Sequence, residues 1–152
     1  MDKYSKCITL SNDVQEVPLL STFVDEVCEF HGLDEMVTMQ MNLALEEAVV
    51  NVMTYGYPEG TKGYVDISAQ SDGSCLTFVI SDSGTPFDPT TKGDVDTTLP
   101  AEKRDIGGLG IHLVKQLMDS IKYEYKDGHN TLTLKKNIKI NNQITNENED
   151  NI

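Results

Sequence analysis

Residues 34–56, DEMVTMQMNLALEEAVVNVMTYG, decide the reading of this chain. The apolar residues Val37, Met41, Leu45, Ala48 and Val52 recur every three or four positions, the spacing of one buried helical stripe. Asp34 is placed to cap the helix start, and Gly56 with Pro58 stops it. Beside the stripe stand Glu46, Glu47 and Asn51. Glu47 and Asn51 are four apart, so they lie one above the other on the same face. On one helix alone such a pair is more simply a solvated acidic face with an incidental Asn. The functional alternative is a hard-cation site. There the Asn carbonyl oxygen joins phosphates and waters around Mg²⁺, with a carboxylate placed for base chemistry.

Upstream, residues 3–10 (KYSKCITL) read as a strand. Asp13 and Glu16 have capping-box spacing, and Val17, Leu20, Phe23, Val24, Val27 and Phe30 then recur at helical intervals. Pro18 belongs in the first turn of that helix, where its missing N–H costs little, and Gly32 ends it. Downstream, residues 64–70 and 75–81 read as two strands joined through Asp72-Gly73. Residues 83–106 hold three prolines and no usable periodicity. An irregular connection of that length in a small domain is usually functional or mobile. A helix is predicted from about Leu109 to Asp119, with Ile111, Val114, Leu117 and Met118 inward. Strands near 121–126 and 130–136 follow, joined by Asp127-Gly128. The order βααββ–loop–αββ predicts an α+β fold, a two-layer α/β sandwich with helices on one face of a mixed, mostly antiparallel sheet. Residues 1–136 form one domain in this reading, and 137–152 (NIKINNQITNENEDNI) a polar, disordered tail.

At 152 residues the chain can bury a proper core, and 38% apolar and 24% charged residues suit a globular protein. A net charge of −13 repels phosphate backbones and anionic lipid, which argues against direct nucleic-acid or membrane-surface binding. It leaves room for a nucleotide, because backbone N–H groups at helix ends bind phosphate without many basic side chains. Cys7, Cys28 and Cys75 are widely spaced among apolar residues with no CxxC, and all three read as reduced, buried thiols. The opening residues MDKYSKCITL carry no apolar run long enough for a signal peptide, so a cytoplasmic location is expected.

Two further segments carry chemistry. In ISDSGTPFDP (80–89), Asp82 ends the apolar strand CLTFVI and Gly84 follows in a turn. An ordinary strand exit explains this adequately. Alternatively, a carboxylate at a rigid strand end accepts a hydrogen bond from the adenine amino group. Guanine bears a carbonyl there, and Gly84 lets the backbone approach the base. In RDIGGLGIHLV (104–114), glycines ahead of a helix expose N–H groups and the positive end of its dipole to an anion. This is neither a dinucleotide fingerprint, since no strand leads into it, nor a Walker A loop, since no Gly-Lys-Ser/Thr occurs.

Together, ALEEAVVNVMTYGY, ISDSGTPFDP and GGLGIHLVKQLMD resemble the N-box, G1 box and G2 box of the GHKL (Bergerat-fold) ATPases. The short chain and the form of the first and third boxes are most similar to the bacterial anti-sigma factor serine kinases. The resemblance covers roughly residues 3–136. It implies ATP and Mg²⁺ as cofactors, with Asn51 on the metal and Glu47 as general base. It further implies Asp82 on the adenine amino group with Gly84 beside the base, and Thr131 supporting adenine recognition. Gly107, Gly108, Leu109 and Gly110 would form the phosphate cradle and lid hinge, with Arg104 reaching the terminal phosphates and 83–106 as the ATP lid. Tyr55 and Tyr57 pack either around the nucleotide end of the helix or in the core. His112 is read as a surface or packing residue.

The function so implied is a protein serine kinase that passes the ATP γ-phosphoryl to a serine of an anti-sigma factor antagonist. A sigma factor is a further partner, and a homodimer is expected through the first strand and sheet edge. The alternative is a non-catalytic module whose ATP-ordered lid binds a sigma factor or other partner. The presence of Glu47 favours the kinase. A split histidine kinase is disfavoured, since no segment is left for a dimerisation helix.

Overall fold

The computed structural model describes residues 4–91 and 106–138. Strand β1 (Tyr4–Ser11) leads through a 3₁₀ turn (Val14–Glu16) into α1 (Val17–Phe30) and α2 (Glu35–Tyr55). Strands β2 (Tyr64–Ser71) and β3 (Cys75–Asp82) follow, then a second 3₁₀ turn (Pro89–Thr91), α3 (Ile106–Leu117), β4 (Ser120–Lys126) and β5 (His129–Asn137). The five strands form one sheet in the order β1-β2-β3-β5-β4, and every pairing is antiparallel. The expected α+β sandwich is therefore present, and its sheet contains no parallel pair among the described residues.

Local chemistry explains the elements. The Asp34 carboxylate accepts from Val37 N–H at 2.8 Å and caps α2, satisfying one of the N–H groups a helix start leaves open. The Asp13–Glu16 pair works differently from a capping box. Asp13 accepts from Gln15 N–H at 2.9 Å and starts the 3₁₀ turn, while Glu16 accepts from the N–H of Ser11. Pro18 sits in the first turn of α1. Asp127 and Gly128, with φ of 54° and 80°, make the two-residue turn of the β4–β5 hairpin, a left-handed pair that Asp and Gly tolerate best.

The helices cover one face of the sheet, with α2 between α1 and α3. Strands alternate accordingly: Val65, Ile67 and Ala69 of β2 and Leu76, Phe78 and Ile80 of β3 face the helices and are buried. Leu20, Val24 and Val27 of α1, Met41, Leu45 and Ala48 of α2 and Ile111 and Val114 of α3 meet them. Each large apolar side chain so buried contributes on the order of 1.5–3 kcal/mol.

Three expectations shift. The helix foreseen from Leu109 begins at Ile106, so Gly107, Gly108 and Gly110 lie within α3 and not ahead of it. Packing of Ile111 and Val114 outweighs the weak helix propensity of glycine. Of the cysteines only Cys28 is buried. Cys7 is exposed, because the alternation of β1 turns it to the uncovered face of the sheet. Strand β5 reaches Asn137, and Ile138 is buried with its N–H on the carbonyl of Ser74 at 3.1 Å. The folded unit thus extends two residues past the expected boundary, and the remainder of the tail lies outside the described residues. No helix among the described residues is long and apolar enough to cross a membrane.

Candidate nucleotide site

The second half of α2 carries the first part of the site. With Leu45, Ala48 and Val52 buried, Glu46 is rotated into solvent and Glu47 is half-buried. Asn51, one turn on, is only 5% exposed, and its Nδ2 donates to the carbonyl of Glu47 at 2.9 Å. That bond back to residue i−4 holds the side chain against its own helix and leaves cation binding to Oδ1. Among the described residues no cluster of three Asp, Glu, His or Cys can hold a metal. One amide oxygen with one neighbouring carboxylate suits Mg²⁺, which is commonly held by one or two protein groups plus phosphates and waters. The donor set therefore fits that ion carried on a polyphosphate.

Asp82 supplies the second part. It takes the fourth inward-facing position of β3, after Leu76, Phe78 and Ile80, and is 4% exposed. Its Oδ1 accepts from Gly84 N–H at 2.8 Å and from Asn130 Nδ2 at 3.0 Å. Burial pushes its carboxyl above the ordinary value, while the Asn130 and Gly84 bonds and the charge of His129 pull it back. Val52 of α2 and Gly56, which caps its end, line a small cavity with Asp82, Asn130 and Tyr123, of about 10 Å³. Asp82 thus stands beside the end of the helix that carries Glu47 and Asn51.

The turn after β3 is built against the end of α2. A Cβ on Gly84 would lie 2.2 Å from the carbonyl oxygen of Gly56, so only glycine fits. Thr85 N–H donates to that same oxygen at 2.7 Å. The requirement for glycine at 84 therefore comes first from backbone packing. Tyr57 is buried and structural: its hydroxyl donates to the carbonyl of Tyr64 at 2.7 Å and accepts from Ser83 N–H at 3.3 Å. Tyr55 lies nearer the surface and stacks on Phe87, with ring centroids 5.4 Å apart.

The first four N–H groups of a helix have no intrahelical partner. In α3 those are on Ile106, Gly107, Gly108 and Leu109, which include three of the four residues expected to cradle phosphate, and Gly110 follows one position on. Lys115 of the same helix donates to the carbonyl of Thr90 at 3.0 Å and ties α3 to the described start of the 83–106 loop. Arg104 and the rest of that loop from 92 lie outside the described residues, as does the Leu109 side chain. His112 is exposed, one helical turn from Gln116.

Thr131 does not join this constellation. It pairs with Ser81, and strand alternation turns both to the uncovered face of the sheet. The residue opposite Asp82 is Asn130, buried and not foreseen from the sequence. The β3–β5 register that brings them together is set by a crossover and not by a hairpin turn, so no local signal pointed to it.

Comparison with known proteins gives the family and the fold. A family model described as a histidine kinase-like ATPase domain matches residues 10–136. A serine-protein kinase RsbW of Listeria monocytogenes is 32% identical over 92 residues, which cover 58% of this chain and 59% of that protein. A serine-protein kinase RsbW of Staphylococcus aureus is 34% identical over 112 residues, covering 70% of this chain and 69% of that protein. A serine/threonine-protein kinase BtrW of Bordetella bronchiseptica is 24% identical over 94 residues, covering 62% and 66%. The match thus spans about three fifths of the length of the Listeria relative. Among solved structures, the RsbU and RsbW domains of a Mycobacterium tuberculosis protein superpose with a TM-score of 0.62 at 17% identity, over 88% of this chain and 32% of that one.

Proposed function

This chain belongs to the histidine kinase-like ATPase domain family, and from that premise we propose that it is an ATP-dependent protein serine kinase of the anti-sigma factor type. The single observation that carries the nucleotide reading is Asp82. An ionisable carboxylate, nearly fully buried at a strand end and bonded through one oxygen, is expensive to keep unless its other oxygen has work to do. The adenine amino group is the donor it suits.

Asp82 holds the base, and Gly84 lets the turn close on α2. The N–H groups at the start of α3, on Gly107, Gly108, Leu109 and Gly110, meet the phosphates, and Arg104 reaches the terminal ones. Asn51 Oδ1 would hold Mg²⁺, which would supply charge neutralisation on the phosphates. Glu47, one turn from Asn51, accepts the proton of a serine hydroxyl as its Oγ bonds to the γ-phosphorus. The bond from that phosphorus to the β-phosphate oxygen breaks, and ADP leaves. Catalysis rests on positioning and charge stabilisation.

The serine belongs to an anti-sigma factor antagonist, and a sigma factor is the second protein partner. This places the chain in the cytoplasm as a transcription regulator. A homodimer forms through β1, which stands at the edge of the sheet. The half-buried Glu47 beside Asn51 favours transfer over a purely ATP-gated binding module.

Titration calorimetry with ATP and GTP, each with and without Mg²⁺, tests the pocket. Mg²⁺-dependent binding that prefers ATP is expected. Binding of neither nucleotide overturns the reading.

A further inference from the structure

We infer that Asn130 is a positioning residue that sets the purine preference of the Asp82 pocket, by saturating one carboxylate oxygen and leaving the other to the ligand's amino group. This rests on the reading of Asp82 as the base acceptor. Asn130 Nδ2 donates to Asp82 Oδ1 at 3.0 Å and to the carbonyl of Thr85 at 3.0 Å, with the carbonyl of Gly84 at 3.4 Å sharing the second hydrogen. Its Oδ1 accepts from Phe87 N–H at 3.1 Å and from the hydroxyl of Tyr123. Two donors and two acceptors are all that a carboxamide has, so every one is in use.

The orientation of the amide is not a free choice. Phe87 N–H can only donate, and the carbonyl of Thr85 can only accept. The nitrogen must therefore face Asp82 and Thr85, and the oxygen must face Phe87 and Tyr123. Asn130 consequently reads Asp82 as an acceptor. Together with Gly84 N–H it engages Asp82 Oδ1, and the ionised form with Oδ2 available is the one the network supports. Burial by itself drives Asp82 toward protonation, and the Asn130 bond opposes this. A protonated Asp82 would offer an O–H, which suits a guanine carbonyl as well as an adenine nitrogen.

The same amide ties Gly84, Thr85 and Phe87 to β5 and β4, so Asp82 and the turn that follows it are held as one unit. No other residue meets all these bonds. Threonine has one donor, aspartate none when ionised, and glutamine sets its amide one methylene further out.

The test is calorimetry on the full chain with MgATP and MgGTP, for wild type, Asn130→Asp, Asn130→Leu, Tyr123→Phe and Asp82→Asn. In Asn130→Asp the introduced carboxyl stands against Asp82, and the pair shares a proton because both cannot ionise at that distance. ATP affinity should then fall more than GTP affinity, narrowing their ratio by about tenfold, the size of one ordinary hydrogen bond. Tyr123→Phe, which keeps the amide but frees its oxygen, should narrow the ratio less and in the same direction. Asn130→Leu should weaken both nucleotides and also narrow the ratio. An equal loss for both nucleotides in Asn130→Asp, with the ratio intact, overturns the inference and reduces Asn130 to a structural clamp. Should Asn130→Asp fail to fold, an unchanged ratio in Tyr123→Phe overturns it equally. If Asp82→Asn binds ATP as wild type does, it is the pocket reading that fails.

Discussion

The carbonyl oxygen of Gly56 accepts a hydrogen bond from Thr85 N–H at 2.7 Å, and a Cβ on Gly84 would lie 2.2 Å from that same oxygen. The end of α2 and the turn after β3 are thus in backbone contact, and through it Asp82 is held beside the helix that carries Glu47 and Asn51. Gly84→Ala must push this contact open. We expect a loss of about 1–3 kcal/mol in stability, the usual cost of forcing extra atoms into a packed site. A urea melt measures it, and a midpoint unchanged from wild type would refute the contact.

Asp82→Asn separates function from stability. The amide can still accept from Gly84 N–H and Asn130 Nδ2 through its oxygen, so the turn survives. Because the folded-state pKa of Asp82 is raised, the native chain binds its proton more tightly than the unfolded chain does. Wild type therefore loses stability relative to Asp82→Asn as pH rises from below the ordinary carboxylate value through the folded one. Thermal melts at pH 4 and pH 7 should show the variant gaining on wild type at the higher pH while ATP binding is lost. A variant that loses ground instead reverses the sign of the argument.

Adjacent carboxylates on α2 should behave differently. Glu47→Ala is expected to reduce phosphoryl transfer by roughly 10²–10⁴, the usual range for general-base assistance, with ATP affinity retained. Glu46→Ala, on the exposed face, should change stability by no more than about 0.5 kcal/mol and leave transfer intact. Phosphate incorporation into the partner serine compares them. Equal activities in the two variants would remove Glu47 from the chemistry.

The cysteines offer a test of the fold without ligand. Burial pushes the Cys28 thiol up to about 11, so at pH 8 almost none of it is thiolate. Cys7 is exposed on the uncovered sheet face. Alkylation of the native chain should label Cys7 quickly and Cys28 only after unfolding. Rapid labelling of Cys28 would contradict its place on the buried face of α1.

The elements were legible because their signals are local. Asp34 and Gly56 bound α2 where the apolar stripe begins and ends, and Asp127-Gly128 fixes a tight hairpin by its backbone preference alone. The start of α3 differs from its local signal for the converse reason. Glycine is a poor helix former locally, yet Ile111 and Val114 are buried against the core and carry the glycines into the helix.

The sequence by itself determined which residue types are on hand for chemistry: a Glu–Asn pair one helical turn apart, an aspartate at the end of an apolar strand and a glycine-rich helix start. These are spacings along one element, and helix and strand periodicity convert them directly into faces. Only the tertiary structure decided that Asn130 and not Thr131 stands opposite Asp82, and that Gly84 serves a backbone contact with Gly56. Strand register across a crossover is set by how whole faces pack, and a shift of one residue turns a side chain to the other side of the sheet.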